Sequence, residues 1–85
     1  MSKSCMVAQN NFSRELNMAT FDKDENDKDY ITNVKIVLDA NTSKEVSDYI
    51  INNDISYVIL VGKQSKVLKE IENNLKEKEI EIEWR

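Results

Sequence analysis

The chain has 85 residues, of which 40% are hydrophobic and 33% charged, and this is typical of one small soluble domain without room for a second core. Twelve basic and 16 acidic residues give a net charge of −4, which argues against direct binding to nucleic acid because phosphate contacts need a basic surface. The lone cysteine, Cys5, excludes an internal disulfide, and no apolar run reaches the length of a membrane span. We therefore expect a cytoplasmic protein that does not contact a membrane.

The first third of the chain predicts a hairpin that follows a loose arm. Residues 1–11 show no hydrophobic period and are interpreted as a flexible N-terminal arm, so that a single domain spans residues 12–85. Alternation over Leu16–Phe21 and again over Ile31–Asp39 predicts two strands. The intervening residues 22–29 hold five acids and no apolar residue, which indicates a solvated acidic loop. The two strands then form an antiparallel hairpin, with the first at a sheet edge.

The rest of the chain alternates helix and strand. Thr42–Glu45 fits a capping box that begins a helix, and Asn52–Asp54 ends it. Ile55–Val61 is apolar on both faces, which predicts the central strand of the sheet. An apolar stripe predicts a second helix over Ser65–Lys78, and strict alternation over Glu79–Arg85 predicts a last strand with one wet face. The order ββαβαβ predicts an α/β fold, with α+β as the alternative, and a small mixed sheet of about four strands with two helices.

The turn after the apolar strand is a candidate anion-binding site. It contains the only glycine, Gly62, followed by Lys63, Ser65 and Lys66 at the start of a helix. Free backbone amides at a helix N-terminus can hold an anion, and ligands of open parallel sheets bind beyond the carboxyl ends of the strands. The alternative is structural: Gly62 makes a tight turn and Ser65 caps the helix.

The segment Val34–Asn41 resembles the first strand of PIN-type nucleases, in which an apolar strand ends in an Asp-x-Asn sequence. The resemblance implies that Asp39 would be a metal ligand. However, such a site needs several oxygen ligands, and the next strand ends in Gly62 and Lys63 rather than in a carboxylate. The alternative is that Asp39 or Asn41 shapes the loop before the first helix as an Asx turn, and we predict no metal site.

The inventory for catalysis is small, so we expect neither an enzyme nor a cofactor. The chain has no histidine, and Cys5 has no imidazole in the sequence that could activate it. The acidic residues, together with a C-terminal tryptophan, instead predict a surface that binds a basic region of another protein. The predicted partner-binding residues are Asp22, Asp24, Glu25, Asp27, Asp29, Glu79, Glu81, Glu83 and Trp84.

Two functions follow as hypotheses. The first is a small acidic, non-catalytic interaction module that regulates or inhibits a nucleic-acid-handling protein by occupying its basic surface. Asn, Lys and Ile supply 29 of the 85 residues and have AT-rich codons, which favours an origin in an AT-rich genome such as that of a phage or mobile element. The alternative is an anion- or nucleotide-binding module built on Gly62–Lys66. Trp84 can also serve as a lid on the core, and a homodimer through the last strand or through an uncovered sheet face stays open.

Overall fold

The computed structural model describes residues 3–10, 12–21 and 30–85. Five strands and two helices follow one another in the described chain, so the α/β class is confirmed and the sheet gains one strand over the expected four or so. No helix in the described residues is long and apolar enough to cross a membrane. In chain order the elements are β1 (Lys3–Ala8), β2 (Glu15–Phe21), β3 (Tyr30–Val37), α1 (Thr42–Asn52), β4 (Ile55–Val61), α2 (Lys66–Leu75) and β5 (Glu81–Trp84).

The strands form one mixed sheet in the order β3-β2-β1-β4-β5. The three N-terminal strands pair antiparallel, β1 with β2 and β2 with β3. On the other side, β1 pairs parallel with β4, and β4 pairs parallel with β5. Helix α1 connects β3 to β4 and helix α2 connects β4 to β5, as crossovers to parallel strands require.

The N-terminal segment is the largest correction to the prediction. The sequence predicted a flexible arm over residues 1–11, whereas Lys3–Ala8 is the middle strand of the sheet, hydrogen-bonded on both sides. Cys5 and Val7 are fully buried. Serine, cysteine and alanine make up half of this strand, and these small residues give only a weak hydrophobic period, which did not signal a strand.

The position of the strands in the sheet also differs from the prediction. The expected hairpin of β2 and β3 is confirmed, but β2 lies inside the sheet between β1 and β3, and β3 is the edge. Strand β4 is interior, as its apolar sequence predicted, but lies beside the middle strand rather than at the centre. Its side chains are buried on both faces, since Val58, Ile59 and Leu60 are at most 2% exposed. The acidic loop over residues 22–29 lies outside the described residues.

Both helices pack on the same face of the sheet. Alternate residues of β1, β2 and β4 contribute to one hydrophobic cluster with the buried stripes of α1 and α2. Ile82 and Trp84 pair with Val58 and Leu60 and pack against the same cluster, so β5 presents its apolar side chains to the helices. The cluster consists of Cys5, Val7, Leu16, Met18, Val46, Ile50, Ile55, Val58, Leu60, Leu68, Ile71 and Leu75.

The start of α1 differs from the predicted capping box. Asn41 is the N-cap residue and its side chain makes no capping hydrogen bond. The amide of Glu45 donates to the carbonyl of Asn41, while the hydroxyl of Thr42 is engaged with Asp39 instead of with Glu45. The end of this helix is as predicted: Asp54 has φ 55°, a left-handed conformation that aspartate tolerates. Helix α2 begins as predicted after Ser65 but ends three residues earlier than expected, at Leu75.

Candidate interaction surfaces

Gly62 lies where the carboxyl ends of β1 and β4 meet. Its φ is +122°, and a Cβ atom at this position would lie 2.1 Å from the carbonyl oxygen of Gln9. A side chain is therefore excluded both by the backbone conformation and by the close approach of the β1–β2 loop. The carbonyl of Gly62 accepts a hydrogen bond of 2.9 Å from the amide of Ser65, which closes the turn. The only glycine of the chain thus has a structural explanation.

Ser65 likewise has a structural role. Its buried hydroxyl oxygen accepts a hydrogen bond from the amide of Leu68 at 3.1 Å, which caps α2, and the hydroxyl donates to the side-chain oxygen of Gln9. The amide nitrogen of the Gln9 side chain in turn donates to the carbonyl of Ser13 at 3.0 Å. This chain of bonds joins the start of α2 to the loop between β1 and β2.

The predicted anion-binding residues lie together at this end of the sheet. Lys63 and Lys66 are exposed on the turn, and a cavity of about 300 Å³ separates the β1–β2 loop from the first turn of α2. Because Gly62 and Ser65 are explained by the fold, only the two lysines and the cavity bear on a ligand. Anion binding here stays a prediction. The cavity is lined by Gln9, Asn10, Gln64, Ser65, Lys66 and Val67.

Asp39 forms an Asx turn, the alternative to a metal ligand. Its carboxylate accepts a hydrogen bond from the amide of Asn41 at 2.8 Å and another from the hydroxyl of Thr42 at 3.2 Å. The hydroxyl oxygen of Thr42 accepts in return from the amide of Asp39 at 2.8 Å. These bonds turn the chain from β3 into α1. In the described part of the chain, no three His, Cys, Asp or Glu side chains come together to hold a metal.

The face of the sheet opposite the helices is not covered by any described helix. We call it the open face. Its apolar side chains lie in the middle, on β1, β2 and β4, and two glutamates of β5 lie at one side. Most of the apolar side chains are half-buried, and Phe21 and Ile59 are buried. The described residues of the open face are Ser4, Met6, Ala8, Glu15, Asn17, Ala19, Phe21, Asn33, Lys35, Val37, Tyr57, Ile59, Val61, Glu81 and Glu83.

Glu83 is held on the open face by two hydrogen bonds. The hydroxyl of Tyr57 donates to one oxygen of its carboxylate and the guanidinium of Arg85 donates to the other. Both bonds favour the charged form, so the hydrogen bond from Tyr57 and then that from Arg85 lower the pKa of Glu83. The same contact with Glu83 raises the pKa of Tyr57. The fold thus places an oriented carboxylate beside an aromatic ring.

The remaining predicted partner-binding residues do not all share this surface. Trp84 lies on the helix side of the sheet, half-buried against the core, where its indole nitrogen donates to the carboxylate of Glu72 at 2.8 Å. It therefore forms a lid on the core, which was the alternative interpretation of this residue. Glu79 precedes β5 and is exposed. The acids of residues 22–29 lie outside the described residues, so their part in binding stays a prediction.

Sequence reasoning missed the exposed apolar surface of β3, the edge strand opposite β5 in the sheet. Strand β3 carries two exposed apolar side chains, Val34 at 38% and Val37 at 69% exposure. On the helix side, a groove of about 200 Å³ runs beside β3 towards α1. The sequence held a signal of this surface, since β3 is long and its single charge is at Lys35. The groove is lined by Met18, Ile36, Glu45, Val46 and Tyr49.

Cys5 is not an accessible nucleophile. Its side chain is fully buried in the middle strand, and burial raises the pKa of the thiol from 9.0 to about 12. A buried neutral thiol does not react at physiological pH, because the thiolate is the nucleophile.

Comparison with known proteins supports the fold and no more. No protein-family model matches the chain, and no curated protein matches it. Among solved structures, the chain is similar to the Aquifex aeolicus member of the Ppx/GppA protein family, with 14% sequence identity and a TM-score of 0.51. The match covers 99% of this chain and 35% of the other, so the chain spans about a third of that protein. A likeness at this identity concerns the arrangement of strands and helices alone.

Proposed function

We propose that this protein is a small, non-catalytic interaction module whose partner is a protein with a basic surface. The open face supports the proposal, because it combines an apolar middle with the carboxylates of Glu81 and Glu83 at one side. Apolar and aromatic side chains such as Tyr57 supply most of the affinity in protein interfaces. Charges around them steer the encounter and select the partner.

The net charge of the chain agrees with this choice of partner. A net charge of −4 on an 85-residue chain attracts basic surfaces over a distance of about one Debye length, roughly 8 Å at physiological salt. The hydrogen bonds from Tyr57 and Arg85 fix the direction of the Glu83 carboxylate. An oriented carboxylate loses less side-chain entropy on binding than a free one. Because Arg85 already pairs with Glu83, a partner's arginine or lysine would share this carboxylate with it.

We further propose that the partner handles nucleic acid and that binding regulates or inhibits it. Proteins of that class present rows of lysine and arginine to phosphate groups, and those rows form extended basic surfaces. A small acidic domain that occupies such a row competes with the phosphate backbone for the same cations. The inhibitor then acts by occupying the site, and no catalytic group is needed in this chain.

A charge reversal on the open face tests the proposal. Capture from a lysate of the source organism, with the pure chain as bait, is compared for the wild type and for Glu81→Lys. The expected partner is retained by the wild type at low salt, is lost as the salt concentration rises, and is lost with Glu81→Lys. The matched control is Glu77→Lys, which makes the same charge change at an exposed position just after α2 and leaves capture unchanged.

The captured protein, once purified, is then titrated with its nucleic acid in the presence of this chain. We expect the chain to weaken nucleic-acid binding in proportion to its concentration. A partner that is captured equally well by wild type and Glu81→Lys would contradict the role of the open face. A partner whose nucleic-acid binding is unaffected would contradict the inhibitor role while leaving the interaction itself intact.

An anion- or nucleotide-binding module at Gly62–Lys66 is the alternative, and the cavity of about 300 Å³ between Gln9 and Lys66 favours it. Thermal-shift measurements with inorganic phosphate and with nucleotides test it. We expect stabilisation that disappears in Lys63→Ala and Lys66→Ala and persists in the control Lys76→Ala, which is exposed beyond the other end of α2. The absence of any shift with the wild type rejects this alternative.

A further inference from the structure

We propose that β3 is a strand-addition edge and that its occupant is β3 of a second copy of this chain. The two strands would pair antiparallel about a two-fold axis perpendicular to the sheet, so that two five-stranded sheets become one continuous sheet of ten. The inference is independent of the proposed function, since it concerns the other edge of the sheet.

The direction of the backbone at this edge follows from one hydrogen bond. The amide of Leu38 donates to the carbonyl of Arg14 at 2.8 Å, next to the β2–β3 pair of Glu15 and Val37. Backbone groups alternate in direction along an antiparallel strand. The amides and carbonyls of the even-numbered residues of β3 therefore point to β2. Those of Asn33, Lys35 and Val37 point away from the sheet and pair with no described strand.

Among the described residues, β3 also lacks the protection that natural edge strands usually have. Such strands are kept short or carry charges, prolines or bulges on the exposed part. Strand β3 has eight residues, its only charge is Lys35, and the register shift with β2 lies at its beginning, next to Tyr30. The exposed Val34 and Val37 add apolar surface to the unpaired backbone.

A two-fold axis at Val34 gives a self-complementary register. Asn33 then lies opposite Lys35 of the second copy on the open-face side, where the side-chain amide oxygen accepts from the ammonium group. Val34 of one copy lies opposite Val34 of the other. Both are on the helix side of the sheet, because within each chain Val34 pairs with the core residue Met18 and shares the face of Met18. An axis at Lys35 would instead place two lysines opposite each other, which is unfavourable.

Charge opposes a second copy less at this edge than at the other. Self-pairing of β5 would bring Glu81 and Glu83 of both copies together, in a chain that already carries a net charge of −4. Pairing through β3 brings together two strands that each carry a single positive charge, at Lys35, and no negative one. A two-fold pair also leaves neither copy with an unfilled β3 edge, whereas a strand from another protein would need a matching sequence.

The groove beside β3 supplies the remaining contact area. A stable interface buries roughly 800 Å² from each partner, which is about one seventh of the 5663 Å² accessible surface of this chain. A strand edge is too narrow to provide that area alone. The half-buried Ile36 and Tyr49, on the helix side of the edge, extend the apolar surface across which the second copy packs.

Solution mass is the first test. Sedimentation equilibrium of the full chain should give twice the chain mass of 9.9 kDa at micromolar concentration. Lys35→Pro removes only an outward amide, and Val34→Glu places two carboxylates at the axis, so both variants should sediment as monomers. Phe12→Glu is the matched control, because Phe12 is 97% exposed on the loop between β1 and β2, outside β3, and the change adds the same charge; its dimer should persist.

The register has its own test. In a non-hydrogen-bonded antiparallel pair the Cα atoms lie about 4.5 Å apart, within the range that a disulfide spans. Val34→Cys should therefore oxidise to a covalent dimer, whereas Val37→Cys should not, because its two copies would lie roughly 20 Å apart. The wild type serves as a blank, since its only thiol, Cys5, is buried. Asn33→Glu, which would face Lys35 in both pairs, should tighten the dimer by about 2- to 30-fold.

A chain that stays monomeric up to millimolar concentration overturns the proposal. That result would mean that β3 pairs with nothing or with a strand from another protein, and either case excludes a second copy. A dimer that survives Lys35→Pro overturns it as well, because that dimer would use another surface. A dimer that cross-links through Val37→Cys and not through Val34→Cys overturns the inferred register.

Discussion

The two edges of the sheet are built on opposite principles. Strand β5 has four residues, two of them glutamates, and its carboxylate at Glu83 is tied to Tyr57 and Arg85. Strand β3 has eight residues, one charge, and valines that are 38% and 69% exposed. Short length and charge are the usual protection of an edge against further pairing, so β5 is a closed edge and β3 an open one.

The difference would let one small sheet separate the two proposed interactions. The β5 side exposes its acids on the open face while Trp84 covers the core on the helix side, so it can contact a partner without accepting a strand. The β3 side is suited to backbone pairing. A chain of 85 residues buries only about 60–65% of its unfolded surface, so a further strand at β3 would also add to its stability.

Proline substitutions at neighbouring positions of β3 should show the largest contrast. Ile36→Pro removes an amide that points to β2, and it should lower the free energy of unfolding by about 3 kcal/mol or more. Lys35→Pro removes an outward amide and should cost less than about 1 kcal/mol, since proline is tolerated on the solvent side of an edge strand. Urea unfolding measures both in the monomeric Val34→Glu background, so that loss of the dimer enters neither cost. Equal costs would show that the assigned direction of the backbone is wrong.

At the closed edge, truncation of Trp84 should have the next largest effect. Trp84→Ala removes a half-buried indole from the core and should cost about 2–3 kcal/mol, the lower part of the range for aromatic truncation because the ring is not fully buried. Trp84→Phe keeps most of the packing and loses the hydrogen bond to Glu72, at a cost of about 1 kcal/mol. Equal destabilisation of the two variants would show that the hydrogen bond to Glu72, rather than packing of the indole, supplies the stability that Trp84 contributes.

Cys5 is a reporter for the middle strand, between the two edges. Its pKa is raised from 9.0 to about 12, so in this range the unfolded chain loses a proton that the folded chain keeps. Stability should be independent of this thiol below pH 9 and fall above it, by at most about 1.4 kcal/mol per pH unit. Urea midpoints between pH 8 and pH 10 for wild type and Cys5→Ala isolate the effect. A wild-type curve parallel to that of Cys5→Ala would contradict the raised pKa.

The smallest effect concerns the titration of Glu83 on β5, the closed edge. The pKa of Glu83 is lowered by the hydrogen bond from Tyr57 and by that from Arg85, so its contribution to stability is present above its unfolded pKa and is lost as the pH falls through its folded pKa. Tyr57→Phe should raise the pKa of Glu83 and reduce this loss, as followed by carboxyl NMR shifts between pH 2 and pH 7. An unchanged titration of Glu83 would mean that Tyr57 does not bond to it in solution.

The sequence by itself determined the elements with strong periods. The apolar run of β4, the apolar stripe of α2 and the alternating pattern of β5 were sufficient to predict these elements. Each pattern follows directly from burial, because each element has either one buried face or two. The α/β class followed from their order. Local chemistry was less decisive: the Thr42 and Glu45 pair had the pattern of a capping box, but Asp39 takes the hydroxyl of Thr42. Two local patterns competed there, and the sequence does not rank them.

Only the tertiary structure decided where each strand lies in the sheet. Lys3–Ala8 has too little apolar side chain to signal a strand, and it becomes the middle of the sheet because β2 and β4 hydrogen-bond to both its edges. The same pairing moves β2 inside and leaves β3 at the edge. It also explains Gly62, since the approach of Gln9 that forbids a side chain there exists only once β1 lies beside β4. Long-range backbone pairing is common to all residue types, so the sequence carries little record of which strands it joins.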